Sequence, residues 1–211
     1  MSDYYNVDLI SGLQKYLDEH DVTLREGHTG QISDQTALLR QLSNSSEKGM
    51  NVMEIGFNCG HSSETFLLAN KNNNVVSFDI GIYDYVRLGK KYIDYTFPNR
   101  HQLVIGNSLK TVPQFSESNN HIKFDLIFID GHHGFHYAYN DIINCKALAH
   151  SKTILIVDDV VDEKTKYKHE HWTIGPTKAW RELISKNFIH EIGSKTYSDG
   201  RGVSLGMYHF I

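Results

Sequence analysis

The chain has 211 residues, a formal net charge of -4, and 40% hydrophobic and 22% charged residues, a balance that suits one globular domain and excludes a disordered tail, a fibre or a tandem array. No run approaches the roughly 20 apolar residues that span a bilayer, and the acidic balance lacks the basic face of a nucleic-acid binder. Cys59 and Cys145, the two cysteines, cannot build a disulfide framework. The expectation is a soluble, cytoplasmic protein acting on a small molecule; Met1–Asn6 is acidic and aromatic where a secretory leader is basic and then apolar. Thirteen histidines raise metal or acid-base chemistry.

Apolar residues recur at helical spacing in residues 7–20 (Val7, Leu9, Ile10, Leu13, Tyr16, Leu17) and 33–42 (Ala37, Leu38, Leu39, Leu42), with Asp3 and Ser33 as candidate caps. Between them Arg25–Gln31 carries two glycines and reads as a loop able to fold over a later site. From Asn51 the pattern alternates between strand and helix: Val52–Ile55, a helix over 61–70, Val75–Phe78, a helix over 84–95 and Leu103–Ile105. Phe124–Ile129, a helix over 135–149 and Thr153–Val157 continue it. Runs without internal alternation, such as Leu126–Ile129 and Ile154–Val157, predict parallel strands buried on both faces. A last helix over 177–186 precedes Phe188–Ile192 and Val203–Ile211, an antiparallel pair joined by the turn-rich Ser198–Gly202. The division predicted is a single domain, 1–211, with N-terminal helices in 1–46 and the α/β core in 51–211.

In an open parallel sheet, ligands bind beyond the carboxyl ends of the strands. After the first strand, Glu54-Ile55-Gly56-Phe57-Asn58-Cys59-Gly60-His61-Ser62 forms a glycine turn into a helix, where backbone approaches a ligand closely and free N–H groups face an anion. Asp79 follows the second strand, where a carboxylate accepts ribose hydroxyls. Gly106-Asn107-Ser108 follows the third; it suits an adenine edge and equally a helix cap at Ser108. The fourth and fifth strands end in Asp130-Gly131-His132-His133 and Asp158-Asp159. Three carboxylates on one rim repel unless a cation neutralises them, which points to a hard divalent metal such as Mg²⁺ held by Asp130, Asp158 and Asp159. His133 is placed to take a proton from a substrate hydroxyl, with His132 and His136 as competitors. His169 and His171 lie in the charged stretch 162–171, expected to form a wall of the substrate pocket with Tyr167 and Trp172. A zinc site from these histidines has no suitably spaced cysteine to complete it.

These residues, from Glu54-x-Gly56-x-Asn58-x-Gly60 through Asp79, Gly106-Asn107-Ser108 and Asp130-Gly131-x-His133 to Val157-Asp158-Asp159, resemble the class I S-adenosylmethionine-dependent methyltransferases. Within them the chain is similar to the metal-dependent O-methyltransferases related to catechol O-methyltransferase, nearest the macrocin-type sugar O-methyltransferases and cephalosporin hydroxylase-like proteins. The resemblance spans about residue 33 to the C-terminus. It implies a Rossmann-like, mostly parallel seven-stranded α/β sheet with helices on both faces, an antiparallel last strand and an N-terminal helical extension. It implies further that Glu54, Gly56, Phe57, Asn58, Gly60 and Ser62 hold the methionine part of S-adenosyl-L-methionine, Asp79 the ribose, and Asn107 and Ser108 the adenine, with Asp130 also at the cofactor. Asp130, Asp158 and Asp159 match the metal ligands, and His133 the base. Asn58 replaces the usual middle glycine, and Phe135 stands where tyrosine is common. The acceptor implied is a small hydroxylated molecule, a sugar or glycosylated compound, with a catechol or phenol as alternative. A nicotinamide-dependent oxidoreductase and a non-catalytic nucleoside-binding protein are the readings from other classes. The N-terminal helices are left as a dimer interface or a cover for the cofactor.

Overall fold

The computed structural model describes residues 11–210. The outer part of the first predicted helix, its cap Asp3 and the terminal Ile211 lie outside them. Helix α1 (Gly12–Glu19) is capped by Ser11, whose side chain accepts from Gln14 N. A 3-10 turn (Thr29–Gln31) leads to α2 (Ser33–Ser43). Ser33 is the first helical residue rather than the cap; Ile32 holds the cap position without a side-chain bond. The alternating elements follow: β1 (Asn51–Ile55), α3 (His61–Ala69), β2 (Asn74–Asp79), α4 (Asp84–Thr96), β3 (His101–Ile105), α5 (Ser108–Ser118), β4 (Phe124–Ile129), α6 (Phe135–Cys145), β5 (Ala149–Asp158), α7 (His171–Ser185), β6 (Ile189–Thr196) and β7 (Gly202–Tyr208). Among the described residues no helix is long and apolar enough to cross a membrane.

The seven strands form one sheet in the order β3-β2-β1-β4-β5-β7-β6. β1 to β5 pair in parallel, and β7 runs antiparallel to both β5 and β6. β1 and β4 are central and bury both faces. Met53, Ile55, Ile127 and Ile129 join the core that contains Ile142, Trp180 and Leu183, whereas Val52, Leu126 and Phe128 join the core that contains Leu13, Leu39, Phe66 and Ile93. One sheet face is therefore layered by α5, α6 and α7 and the other by α1 to α4. That two-sided burial is why these strands read as unbroken apolar runs.

Helix α5 is not among the predicted elements, and three of the boundary differences from the sequence reading have local reasons. The helix expected to reach residue 149 ends at Cys145, a 3-10 turn follows (Lys146–Leu148), and β5 starts at Ala149. The polar start of β5 is tied down by Thr153 Oγ1, which donates to Phe124 O at 2.6 Å. Helix α7 begins at His171, not after the Gly175-Pro176 pair that normally breaks a helix. β6 extends to Thr196 because it is an edge strand whose polar residues face solvent.

Candidate active site

The carboxyl ends of β1 to β5 open into one cleft of about 1040 Å³. The floor begins with the β1–α3 turn. Gly56 has φ +97°, and a Cβ there would lie 1.9 Å from the carbonyl oxygen of Asp130. Only glycine lets the turn pass this close to the end of β4. Gly56→Ala is expected to cost about 2–4 kcal/mol of stability, readable as a lowered urea midpoint. Asn58 also has positive φ, +52°, a conformation asparagine tolerates better than most residues, which accounts for its standing where glycine was expected. Gly60, φ +96°, turns the chain into α3.

Gly56, Phe57, Asn58, Ser62, Asp79, Asn107, Ser108 and Asp130 all line the cleft. Asp79 accepts from Asn58 N at 2.9 Å and from Gly81 N at 2.7 Å, so its carboxylate is fixed by backbone at the end of β2. The α5 cap is Asn107, not Ser108: its side chain accepts from Leu109 N at 3.0 Å. Glu54 and Gly60 were expected on the cofactor and do not line the cleft. Glu54 is fully buried beneath it, receiving hydroxyl hydrogen bonds from Ser62, and from Ser63 and Ser77 at 2.6 Å each. Burial pushes its pKa up, against the pull of the three serines. Its contribution to the turn is to brace Ser62 from behind.

The rim beyond β4 and β5 carries the charged groups. Asp130 Oδ1 lies 4.0 Å from His133 Nε2, and Asp159 Oδ2 lies 2.9 Å from the same nitrogen. One ligand atom from each of Asp130, His133 and Asp159 falls within 4.8 Å of the others. Asp158 was expected in this group. Its carboxylate is instead engaged by α2, where Gln35 Nε2 donates to Oδ2 at 2.7 Å; Oδ1 is buried without a partner. Burial and then the neighbouring Asp159 raise Asp130 to about 7, and burial with the charges of Asp130 and Asp159 raises Asp158. Burial lowers His133, but the Asp159 hydrogen bond and the charges of Asp130 and Asp159 outweigh it, so the ring is more basic than usual. Hard carboxylates that repel one another, a buried oxygen with no donor and an imidazole between them match the donor set of a divalent cation.

His133 is positioned by a close helix crossing. A Cβ on Gly175 would lie 2.0 Å from the His133 carbonyl oxygen, so the glycine inside α7 lets that helix press on the loop entering α6. The competing histidines are placed differently. His132 lines the cleft, but its Nδ1 accepts from Gly134 N at 2.9 Å. His136 lies off the cleft beside Asn140. His171 reaches the cleft and His169 does not. Among the described residues neither joins a cluster of metal-ligating groups.

The Arg25–Gln31 loop does fold back over the cleft. Asn58 Nδ2 donates to Gly27 O at 3.0 Å, and the His28 ring stacks on His61 with centroids 3.7 Å apart. Burial, then the facing His28, lowers His61 to about 3, and burial lowers His28 as well; the stack is one of neutral rings. Tyr167, His171 and Trp172 also line the cleft, the two aromatic rings 5.2 Å apart, as do Tyr137, Asp199 and Arg201. Sequence reasoning did not single out Gln35 or Tyr197, and it carried His61 only as part of the β1–α3 turn. Tyr197 is a buried phenol with no hydrogen-bond partner, its pKa raised by burial and by the three aspartates.

Residues 53–160 match a protein family described as a methyltransferase domain. No curated protein matches the chain. Among solved structures, an O-methyltransferase from Bacillus cereus in complex with SAH is 17% identical, with 96% of this chain and 94% of that one covered and a TM-score of 0.72. The O-methyltransferase TomG from Streptomyces achromogenes, involved in tomaymycin synthesis and bound to SAM, is 16% identical over 97% and 91% of the chains, with a TM-score of 0.71. An SAH-bound methyltransferase from Podospora anserina is 15% identical over 94% and 88%, with a TM-score of 0.70. At these identities the likeness is one of fold.

Proposed function

Since the chain belongs to the methyltransferase domain family, matched over residues 53–160, we propose that it is an S-adenosylmethionine-dependent O-methyltransferase that uses a divalent cation, Mg²⁺ by preference, and acts on a hydroxyl of a sugar or glycosylated small molecule. The observation that carries this reading is convergence. One cleft holds both the Gly56–Ser62 turn with Asp79 and, beside it, the Asp130–His133–Asp159 group. A nucleoside-binding half and a proton-handling half therefore face a common space. The antiparallel β7 between β5 and β6 counts against a dinucleotide dehydrogenase, whose sheet runs 3-2-1-4-5-6 in parallel.

A bound S-adenosylmethionine supplies a methyl group on a sulfonium, and a cation on the carboxylates supplies Lewis acidity toward an acceptor oxygen. The turn Gly56, Phe57 and Asn58, with Ser62 braced by Glu54 in the first turn of α3, would bring backbone and the N-terminus of α3 to the carboxylate end of the cofactor. Asp79, held by Asn58 N and Gly81 N, would take the ribose hydroxyls, and Asn107 and Ser108 the adenine. Asp130 and Asp159, with the unpartnered Oδ1 of Asp158, would hold the cation, and His133 would take the proton of the acceptor hydroxyl. Alignment of the two reacting groups is the main task left to the protein. The rings of Tyr167 and Trp172, tilted by 53° to each other, with His171, Asp199 and Arg201 lining the same cleft, offer apolar surface together with polar groups, which suits a sugar ring. We further propose that residues 1–211 work as one domain and that the protein is cytoplasmic, in keeping with Cys59 and Cys145 as buried free thiols.

A ligand that binds only the native state raises the melting temperature according to its concentration over Kd. S-adenosylhomocysteine at 100 times its Kd is expected to add about 2.7 kcal/mol of stability, seen as a clear upward shift in melting temperature, while NAD⁺ produces none. Stabilisation by NAD⁺ alone would overturn the cofactor assignment. Glycosides and catechols assayed side by side, with Mg²⁺ and with EDTA, then test the acceptor and the cation: turnover of glycosides that EDTA abolishes is expected, and an unchanged rate in EDTA removes the metal from the mechanism.

A further inference from the structure

Helix α2 buries one stripe, Gln35, Leu39 and Ser43. At the first position of such a stripe an apolar side chain satisfies packing, and a buried amide is costly unless its hydrogen bonds are met. Gln35 is 1% exposed, and its amide nitrogen reaches across 123 residues of sequence to Asp158 Oδ2 at 2.7 Å. The neighbouring residues anchor the same turn. Asp34 Oδ2 accepts from Ser198 N at 2.8 Å, and Thr36 Oγ1 donates to Thr29 O at 2.9 Å. The start of α2 is thus tied to the β6–β7 turn, to the loop over the cleft, and to a carboxylate of the charged rim.

We propose that Gln35 is a positioning residue for Asp158: by taking Oδ2, its amide fixes the carboxylate so that the unpartnered Oδ1 is the oxygen left for a ligand, and the N-terminal segment thereby becomes part of the site. The inference rests on the reading of Asp130, Asp158 and Asp159 as the cation-holding group. Residues that orient metal ligands through hydrogen bonds typically change metal affinity about 10–100-fold when replaced. A packing role predicts no such change, because leucine or methionine fills the same volume.

The test measures Mn²⁺ binding to the full chain by calorimetry and electron paramagnetic resonance, for wild type, Gln35→Leu and Gln35→Met, with S-adenosylhomocysteine affinity as an independent readout. The expected result is a roughly 10–100-fold weaker Mn²⁺ affinity in both variants, with S-adenosylhomocysteine binding unchanged. Wild-type affinity for Mn²⁺ in either folded variant overturns the positioning role and leaves the cation reading standing. Absence of Mn²⁺ binding to the wild type at millimolar concentration overturns the cation reading, and the role of Gln35 with it. If neither variant folds, Gln35 is a structural residue and the inference fails.

Discussion

Asp158→Asn is expected to lower turnover by about 10²–10³-fold, equivalent to several kcal/mol of lost charge stabilisation, and at the same time to raise the melting temperature of the metal-free protein. The two effects have one source. Asp130, Asp158 and Asp159 sit on one rim; burial and then Asp159 raise Asp130 above the ordinary carboxylate range, and burial with the charges of Asp130 and Asp159 raises Asp158. A raised folded pKa means that folding takes up a proton. Its stabilising contribution is complete below the unfolded pKa near 4 and is lost as pH rises through the folded value, about 7 for Asp130. Asparagine keeps an oxygen to accept from Gln35 but carries no charge. Relief of roughly 1–3 kcal/mol at pH 8 corresponds to about 3–9 °C for a chain of this size, shrinking toward nothing at pH 4. His61 and His101, both lowered to about 3 chiefly by burial, contribute stability that is lost as pH falls below about 6.5. They do so equally in both proteins and cancel in the difference. Melting curves of the two proteins in EDTA from pH 4 to 8 decide the matter; a lower melting temperature for the variant at pH 8 would show that the hydrogen bonds of the ionised carboxylate outweigh the repulsion.

His133→Ala is expected to reduce kcat by about 10²–10⁴-fold, the usual range for loss of a general base, with S-adenosylhomocysteine affinity unchanged. The ring sits 2.9 Å from Asp159 and 4.0 Å from Asp130, so its geometry is also that of a cation ligand beside the aspartates. The two roles separate by measurement. A base contributes only to the reaction, so Mn²⁺ affinity of the variant stays at the wild-type value, the pH dependence assigned to the imidazole disappears, and the rate recovers with rising hydroxide concentration. A ligand contributes to binding, so Mn²⁺ affinity falls together with kcat. The side chain is 42% exposed, which leaves an abstracted proton a route to solvent.

The architecture was legible because its signals are local. Val52–Ile55, Leu126–Ile129 and Ile154–Val157 are apolar without alternation because both sheet faces are covered, and the glycines of the β1–α3 turn announce a backbone with positive φ. The errors also have local causes: Gly175-Pro176 looks like a helix stop, but the close approach of α7 to His133 requires that glycine. Position at the strand ends brought Asp79, Asn107, Asp130, His133 and Asp159 to one cleft. What the sequence could not display were hydrogen bonds between distant segments. Nothing around Glu54 says that its carboxylate turns away from the cleft toward Ser63 and Ser77, and nothing around Gln35 says that it meets Asp158. A glutamine at a position of a helix that otherwise buries Leu39 was the available sign.

The tethering of α2 also orders the assembly of the protein in time. Contacts local in sequence, such as the β1–β2 and β4–β5 units, close short loops and form early, whereas Gln35 to Asp158 and Asp34 to Ser198 span 123 and 164 residues and bear a larger entropy of closure. On a ribosome the second of these cannot form until the β6–β7 turn has emerged. Pairing of β1 with β2 needs none of the later chain, whereas the tie of α2 to the turn, like the insertion of β7 between β5 and β6, waits for the last strands, so the Gly56–Ser62 turn is made well before the start of α2 can be anchored beside it.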